Sequence, residues 1–272
     1  MNKKLNRYVN YLLDNDPSPF CEYIIFKELL KSDEKTVRDS YEWAKLSTLY
    51  TELYDEQFPD GSFGDFWPMS TKPEVRRKIK HTHRHTHRRL RDLSLDEKDE
   101  MVAKTIELCK KTIIGEYTPF RFKRSDGSLK GMKHTLYSFF PNDELCADIK
   151  KEQLNLSEEK QRIYMTYEWD HGPWDICKRS DLLTPDNRRF VFWMCGLEEV
   201  SGNPLFAEFA AEKTAPFLYE LCEKLIYPDD TMKITVNRYY AKVGQYSEEW
   251  KNNDIKKKDL LLRIIRILNK CD

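Results

Sequence analysis

The residues best equipped for chemistry stand close together at Trp169-Asp170-His171-Gly172-Pro173-Trp174-Asp175. Two carboxyl groups and an imidazole could serve as proton donor and base, and two indoles beside them would give an apolar wall. Pro173 lacks a backbone N–H and disfavours helical geometry at Gly172, so the chain must bend there and side chains on either side can converge. Asp170, His171 and Asp175 are therefore the acid/base candidates, with Trp169 and Trp174 as substrate-binding residues. Two Trp beside three ionisable groups are expected to face an internal cavity; the competing arrangement packs the rings into ordinary core and turns the charges outward.

A second run, His81-Thr82-His83-Arg84-His85-Thr86-His87-Arg88-Arg89-Leu90, is the most unusual in the chain. At roughly 100° per residue, a helix would set His83 and His87 on the side of Leu90, and His81 and His85 opposite with Arg84 and Arg88. Each pair has the spacing to hold a metal ion, or His83 and His87 could act as acid and base in a cavity. The plainest arrangement hydrogen-bonds one pair near the core and leaves the other in water. No Glu stands between the histidines, unlike the His-Glu-x-x-His of zinc peptidases. We assign His83 and His87 to substrate contact and expect neither a metal site nor a cofactor. Lys78, Lys80, Arg88, Arg89 and Arg91 add a basic face, but one such face is ordinarily solvated, and no nucleic-acid partner is expected.

The elements that must position these residues read as helices. Tyr8, Val9, Leu12 and Leu13 mark the first, stopped by Asn15-Asp16-Pro17-Ser18-Pro19; others are expected over about 21–30, 35–54, 73–93 and 96–113. Leu30-Lys31-Ser32-Asp33-Glu34-Lys35 resembles Leu93-Ser94-Leu95-Asp96-Glu97-Lys98: an apolar helix end, an acidic turn, a new helix. Downstream, Asp60-Gly61-Ser62 and Asp126-Gly127-Ser128 lie at similar distances, suggesting that turn, helix and acidic loop recur. A weaker third copy begins at Ser201-Gly202-Asn203-Pro204-Leu205 and ends at Asp229-Asp230. Repeated helical pairs must stack, because one pair cannot bury its own apolar face. The last helix, Asp259 to Leu268, is apolar beyond one face and should be buried on most sides.

Composition sets the wider limits. Of 272 residues, 40% are hydrophobic and 34% charged, which suits a globular chain, and only nine are glycine. Forty-six basic residues balance forty-six acidic ones, so no overall field favours a polyanion. Seven cysteines, an odd count with no Cys-x-x-Cys, read as reduced thiols, and cytoplasm is the expected location. No run is apolar enough to span a membrane.

The loop Leu53-Tyr54-Asp55-Glu56-Gln57-Phe58-Pro59-Asp60-Gly61-Ser62-Phe63 resembles the Gln-Trp repeat of squalene and hopene cyclases, with Leu53, Gln57, Gly61 and Phe63 on its positions. Phe63 stands where that repeat has Trp, and its upstream basic-Gly pair is absent. Arg89-Leu90-Arg91-Asp92-Leu93-Ser94-Leu95-Asp96 and Tyr246-Ser247-Glu248-Glu249-Trp250 are similar to the hairpins of the same superfamily. The resemblance implies an α/α toroid, as in terpenoid cyclases and protein prenyltransferase β subunits, with alternating helices around an apolar cavity. The Asp-x-Asp-Asp and Asp-Asp-x-x-Asp clusters of those enzymes are missing. Asp175-Ile176-Cys177 matches the zinc-binding Asp-x-Cys of prenyltransferases, yet no His follows it; His171, Asp175 and Cys177 could form a local three-ligand set instead. Gln57 and Phe63 read as structural, the amide satisfying helix ends and Gly61 supplying a positive φ.

The expectation is thus an all-α protein, a single α/α-toroid domain over residues 1–272, with an aromatic-lined cavity for an isoprenoid or other apolar small molecule. The alternative is a non-catalytic helical-repeat scaffold that binds a peptide or protein.

Overall fold

The computed structural model describes residues 2–64, 89–119, 122, 126–154, 215–227, 246–247 and 252–271. The protein is helical, with no strand among the described residues. Among the described residues it has the helices α1 (Lys3–Asp14), α2 (Pro19–Ile24), α3 (Glu34–Lys45), α4 (Thr48–Glu56), α5 (Glu100–Ile113), α6 (Asp126–Phe139), α7 (Ala147–Leu154), α8 (Ala215–Ile226) and α9 (Asn253–Cys271). A π-helical turn, Ile25–Leu29, extends α2, and a 3-10 turn, Glu144–Cys146, leads into α7. No described helix is long and apolar enough to cross a membrane. The chain forms two compact units, one of Met1–Leu49 with Ser157–Asp272 and one of Tyr50–Leu156.

In the first unit α1 buries Leu5, Tyr8, Val9 and Leu12, a single stripe at helical spacing. Asn2 caps it by accepting from the Leu5 N–H, and Asp16 at φ +53° followed by Pro17 prevents continuation. Ser18 caps α2, with Pro19 in the first turn where its missing N–H costs nothing. Helix α9 packs against α1, α8 and the π turn, and every residue from Leu260 to Leu268 is buried. The expected burial on most sides is what the structure has. It is the core of this unit.

The helix expected over 35–54 is broken at Leu46-Ser47. Their N–H groups bond back to Trp43 and Ala44 carbonyls, and the buried Ser47 hydroxyl donates to the Ala44 carbonyl at 2.6 Å. That carbonyl is the one Thr48 would need to continue the helix.

In the second unit α5 packs on α6, and α6 on the 3-10 turn and α7. Met101, Val102, Ile106, Leu108 and Cys109 of α5 and Met132 and Leu136 of α6 are buried, and Cys109 Sγ and Met132 Sδ are 3.5 Å apart. Lys130–Glu152 and Lys133–Asp148 ion pairs join α6 to α7 at the surface.

The turns Leu30-Lys31 and Leu93-Ser94 do share a form: Lys31 and Ser94 both adopt positive φ, +49° and +59°, and each precedes an aspartate-capped helix. The second connection is longer than the sequence comparison implies. Asp96 folds onto the Lys98 N–H, and Asp99 is the true cap, so α5 begins at Glu100 rather than near Asp96. Asp126-Gly127-Ser128 opens α6 instead of forming a loop like Asp60-Gly61-Ser62. Of the third copy, the turn Ser201-Gly202-Asn203-Pro204-Leu205 and Asp229-Asp230 lie outside the described residues, and α8 falls between them.

Candidate functional site

The loop after α4 joins it to α5, whose residues lie 44 or more positions further along. Gln57 Nε2 donates to the Met101 carbonyl at 2.8 Å and lies 3.2 Å from Thr105 Oγ1 and 3.3 Å from the Gly61 carbonyl. Thr105 in turn donates to the Gly61 carbonyl at 3.3 Å. Gly61 has φ +83°, and a Cβ there would stand 2.3 Å from the Lys104 carbonyl oxygen. No other residue fits that close approach. Asp60 holds the Ser62 N–H and hydroxyl and receives the Tyr117 hydroxyl at 2.8 Å, while Phe63 is buried beneath. Among the described residues, every hydrogen bond of the Gln57 amide is with main chain or with Thr105, so the loop is a staple. Its structural assignment from sequence agrees with this geometry.

A second polar centre is buried in the first unit, on α9. Asp259 accepts from the Tyr246 N–H at 2.9 Å, the Ser247 N–H at 3.1 Å, the Ser247 hydroxyl at 2.5 Å and the Cys21 thiol at 3.5 Å. About two helical turns along, Arg266 forms a forked pair with Glu28, Nε to Oε2 at 2.8 Å and Nη2 to Oε1 at 2.9 Å. Its remaining Nη1 donates to the Tyr246 hydroxyl at 2.7 Å. The Arg263 guanidinium lies 4.8 Å from the centre of the same ring. Ser18, the cap of α2, donates to the Tyr246 carbonyl at 2.9 Å. Tyr246 is thus held at backbone, ring and hydroxyl alike.

A carboxylate, a hydroxyl and a thiol in contact could suggest nucleophilic chemistry, and the environment argues otherwise. Burial, then the Asp259 charge, push the Cys21 thiol well above its ordinary pKa, the opposite of activation. Asp259 and Cys21 are almost wholly inaccessible. A substrate has no route to them, and the centre anchors residues 246–247 to α2 and α9. Sequence reasoning treated Asp259 only as the start of a helix. The signal that would have found it is charge inside an apolar run: Asp259, Arg263 and Arg266 flank or interrupt Leu260–Leu268, and charges so buried must be paired.

The open side of α1 borders a groove of about 450 Å³, lined by Lys3, Asn6, Arg7, Asn10, Asp14 and Tyr227 among others. Arg7 is paired with Glu223 there. None of its described lining residues is among the sequence-predicted site residues.

Those residues, Trp169, Asp170, His171, Trp174, Asp175, His83 and His87, all lie outside the described residues, as does Cys177. Among the described residues no group of three or more His, Cys, Asp or Glu side chains could hold a metal ion. Compared with known proteins, the chain matches no family model, and neither a curated protein nor a solved structure matches it.

Proposed function

We propose that the protein is a ring of helical hairpins of the terpenoid-cyclase kind, an α/α toroid whose aromatic-lined cavity binds an isoprenoid or similar apolar molecule. The observation that carries this reading is the Gln57 staple. An apolar position at Leu53, an amide at Gln57, a positive-φ glycine at Gly61 and a buried ring at Phe63 together tie one helix end to another helix distant in sequence. Helix-end satisfaction by Gln57 and a positive φ at Gly61 are what the sequence reading expects at positions that resemble the Gln-Trp repeat. In the cavity, Asp170, His171 and Asp175 are the acid/base candidates, and Trp169, Trp174, His83 and His87 contact the ligand. Indole faces would also stabilise developing positive charge. Thiols buried and unpaired at Cys21, Cys109, Cys146 and Cys222 support a reducing compartment, taken as the cytoplasm.

The scaffold alternative draws support from one observation, the missing Asp-x-Asp-Asp and Asp-Asp-x-x-Asp clusters. Without them neither alkene protonation nor diphosphate ionisation has its usual residues.

Titration of the full-length protein with isoprenoid alcohols of increasing length, followed by tryptophan fluorescence, tests the reading. Saturable quenching that Trp169→Phe and Trp174→Phe diminish is expected, with product detectable by mass spectrometry and lost in Asp175→Asn. Absence of saturable binding at every chain length would replace the cavity with the scaffold.

A further inference from the structure

We propose that the outer face of α1 is a docking groove for an extended peptide segment that carries an acidic and a basic residue four positions apart. The groove of about 450 Å³ beside α1 belongs to the first unit and has the size of a ligand site, roughly 300–1,000 Å³. Lys3, Asn6, Arg7, Asn10 and Asp14 line it, one exposed stripe at steps of three and four residues on the side opposite the buried Leu5, Tyr8, Val9 and Leu12. Tyr227, just past the end of α8, forms a wall and is 70% exposed. The charges on this stripe run against the helix. A helix is stabilised by acids in its first turn and bases in its last, and α1 has neither. Lys3, Lys4 and Arg7 stand in its first two turns, and Asp14 ends it. Glu223 offsets Arg7, and the Lys4 ammonium lies 5.3 Å from the centre of the Tyr219 ring. Among the described residues Lys3 and Asp14 have no such partner. Local choices that oppose stability mark positions kept for another purpose, and a ligand with the complementary order of charges would offset both ends.

The middle of the stripe decides the kind of ligand. Asn6 and Asn10 side chains make no hydrogen bond among the described residues. Each carboxamide offers an acceptor and two donors, the complement of a main-chain N–H and carbonyl. Four helical residues rise about 6.0 Å, and two residues of an extended chain span about 6.6–6.8 Å. A peptide laid along α1 therefore presents one main-chain edge to both amides. The midpoint of Lys3 and Arg7 precedes Asp14 by nine residues, a rise of about 13.5 Å. Side chains four apart on one face of an extended chain are separated by about 13.2–13.6 Å, which sets the spacing of acid and base in the ligand. An apolar ligand would leave both amides unanswered. The groove is thus separate from the cavity reading and does not depend on it.

The test is fluorescence anisotropy of labelled, end-capped Glu-Val-Thr-Val-Lys and Lys-Val-Thr-Val-Glu, the two directions in which such a segment can lie, titrated with the full-length protein. At least one is expected to bind saturably. Asn6→Ala/Asn10→Ala should weaken that binding by at least about tenfold, with circular dichroism unchanged because both positions are exposed. Asp14→Lys should lose the same peptide and gain affinity for Glu-Val-Thr-Val-Glu, a reversal that misfolding does not produce. Saturable binding of neither peptide would overturn the inference. So would wild-type protein that prefers Glu-Val-Thr-Val-Glu, the mark of a general anion site, or affinity that both variants retain.

Discussion

At Gln57 a single –NH₂ group faces three acceptors, and its two hydrogens are shared among them. Gln57→Ala should therefore cost about 1–3 kcal/mol, because the Met101 carbonyl and Thr105 Oγ1 lose the amide donor while partly buried. Gly61→Val should cost at least as much, since positive φ and the Lys104 carbonyl at 2.3 Å both oppose a side chain. Gly115 provides the control: its φ is +82°, yet nothing lies within 4 Å of a Cβ there. Gly115→Ala should cost only about 1–2 kcal/mol, the strain of the left-handed conformation alone. Urea unfolding of Gly61→Val, Gly61→Ala and Gly115→Ala separates strain from collision, and equal costs for the two alanine variants would show that the close approach is unimportant. The Gln57 staple was legible because amide, glycine and ring fall at fixed intervals in sequence. The Asp259 centre was not, since its partners Cys21, Tyr246 and Ser247 come from places no local pattern connects. Asp259→Ala should cost at least about 3 kcal/mol, because two backbone N–H groups and a hydroxyl would be buried without an acceptor.

Among the elements, the helix starts show how context changes the worth of one motif. Asp33 and Asp99 cap α3 and α5 in the same way, each accepting from two N–H groups of the first turn. Asp33 stands in water and also takes the Thr36 hydroxyl, whereas Asp99 is buried and receives the Tyr50 hydroxyl at 2.7 Å. Asp33→Ala should cost about 1 kcal/mol, and Asp99→Ala about 2 kcal/mol or more, as it also removes the Tyr50 hydroxyl's carboxylate acceptor from a buried site. Similar thermal shifts for both would count against this ordering. Helix interiors were readable from periodicity, as in α1 and α9. Their ends were less so: the break at Ser47 depends on a hydroxyl choosing a carbonyl, and the start of α5 on which of Asp96 and Asp99 caps it. Both choices are settled by packing around them. Leu262→Ala, in the fully buried middle of α9, should cost about 2–5 kcal/mol by the cavity it leaves.

For the whole molecule, stability should fall on both sides of neutrality. Bonds from the Thr36 hydroxyl, Lys110 and Lys133 hold the Asp33, Asp143 and Asp148 carboxyls, respectively, below their ordinary range. Groups lowered in the folded state contribute stability that is present above about pH 4 and lost as pH falls through their folded values. Asp33 and Asp148 are exposed and Asp143 is half-buried, so this acid limb should be shallow and weakened by salt. On the alkaline side, burial raises the thiols of Cys21, Cys109 and Cys222. Their contribution is complete below about pH 8.5 and drains as pH climbs towards the raised folded values, by up to about 1.4 kcal/mol per pH unit for each thiol. Urea midpoints measured from pH 7 to 10 should fall accordingly, and Cys109→Ala should flatten the slope whatever it does to stability at pH 7. An unchanged slope would mean that the thiol ionises equally in both states. The division of the chain carries one more consequence, in the order of events during synthesis. Tyr50–Leu156 is continuous and emerges from the ribosome as one piece, while the other unit needs Leu260–Leu268 beside residues of α1 and the π turn. The Glu28–Arg266 bond closes a separation of 238 residues. The apolar stripe Leu5, Tyr8, Val9 and Leu12 is therefore made early and must wait for almost the whole chain before it has its partner, which makes the nascent N-terminal segment a natural client of chaperones.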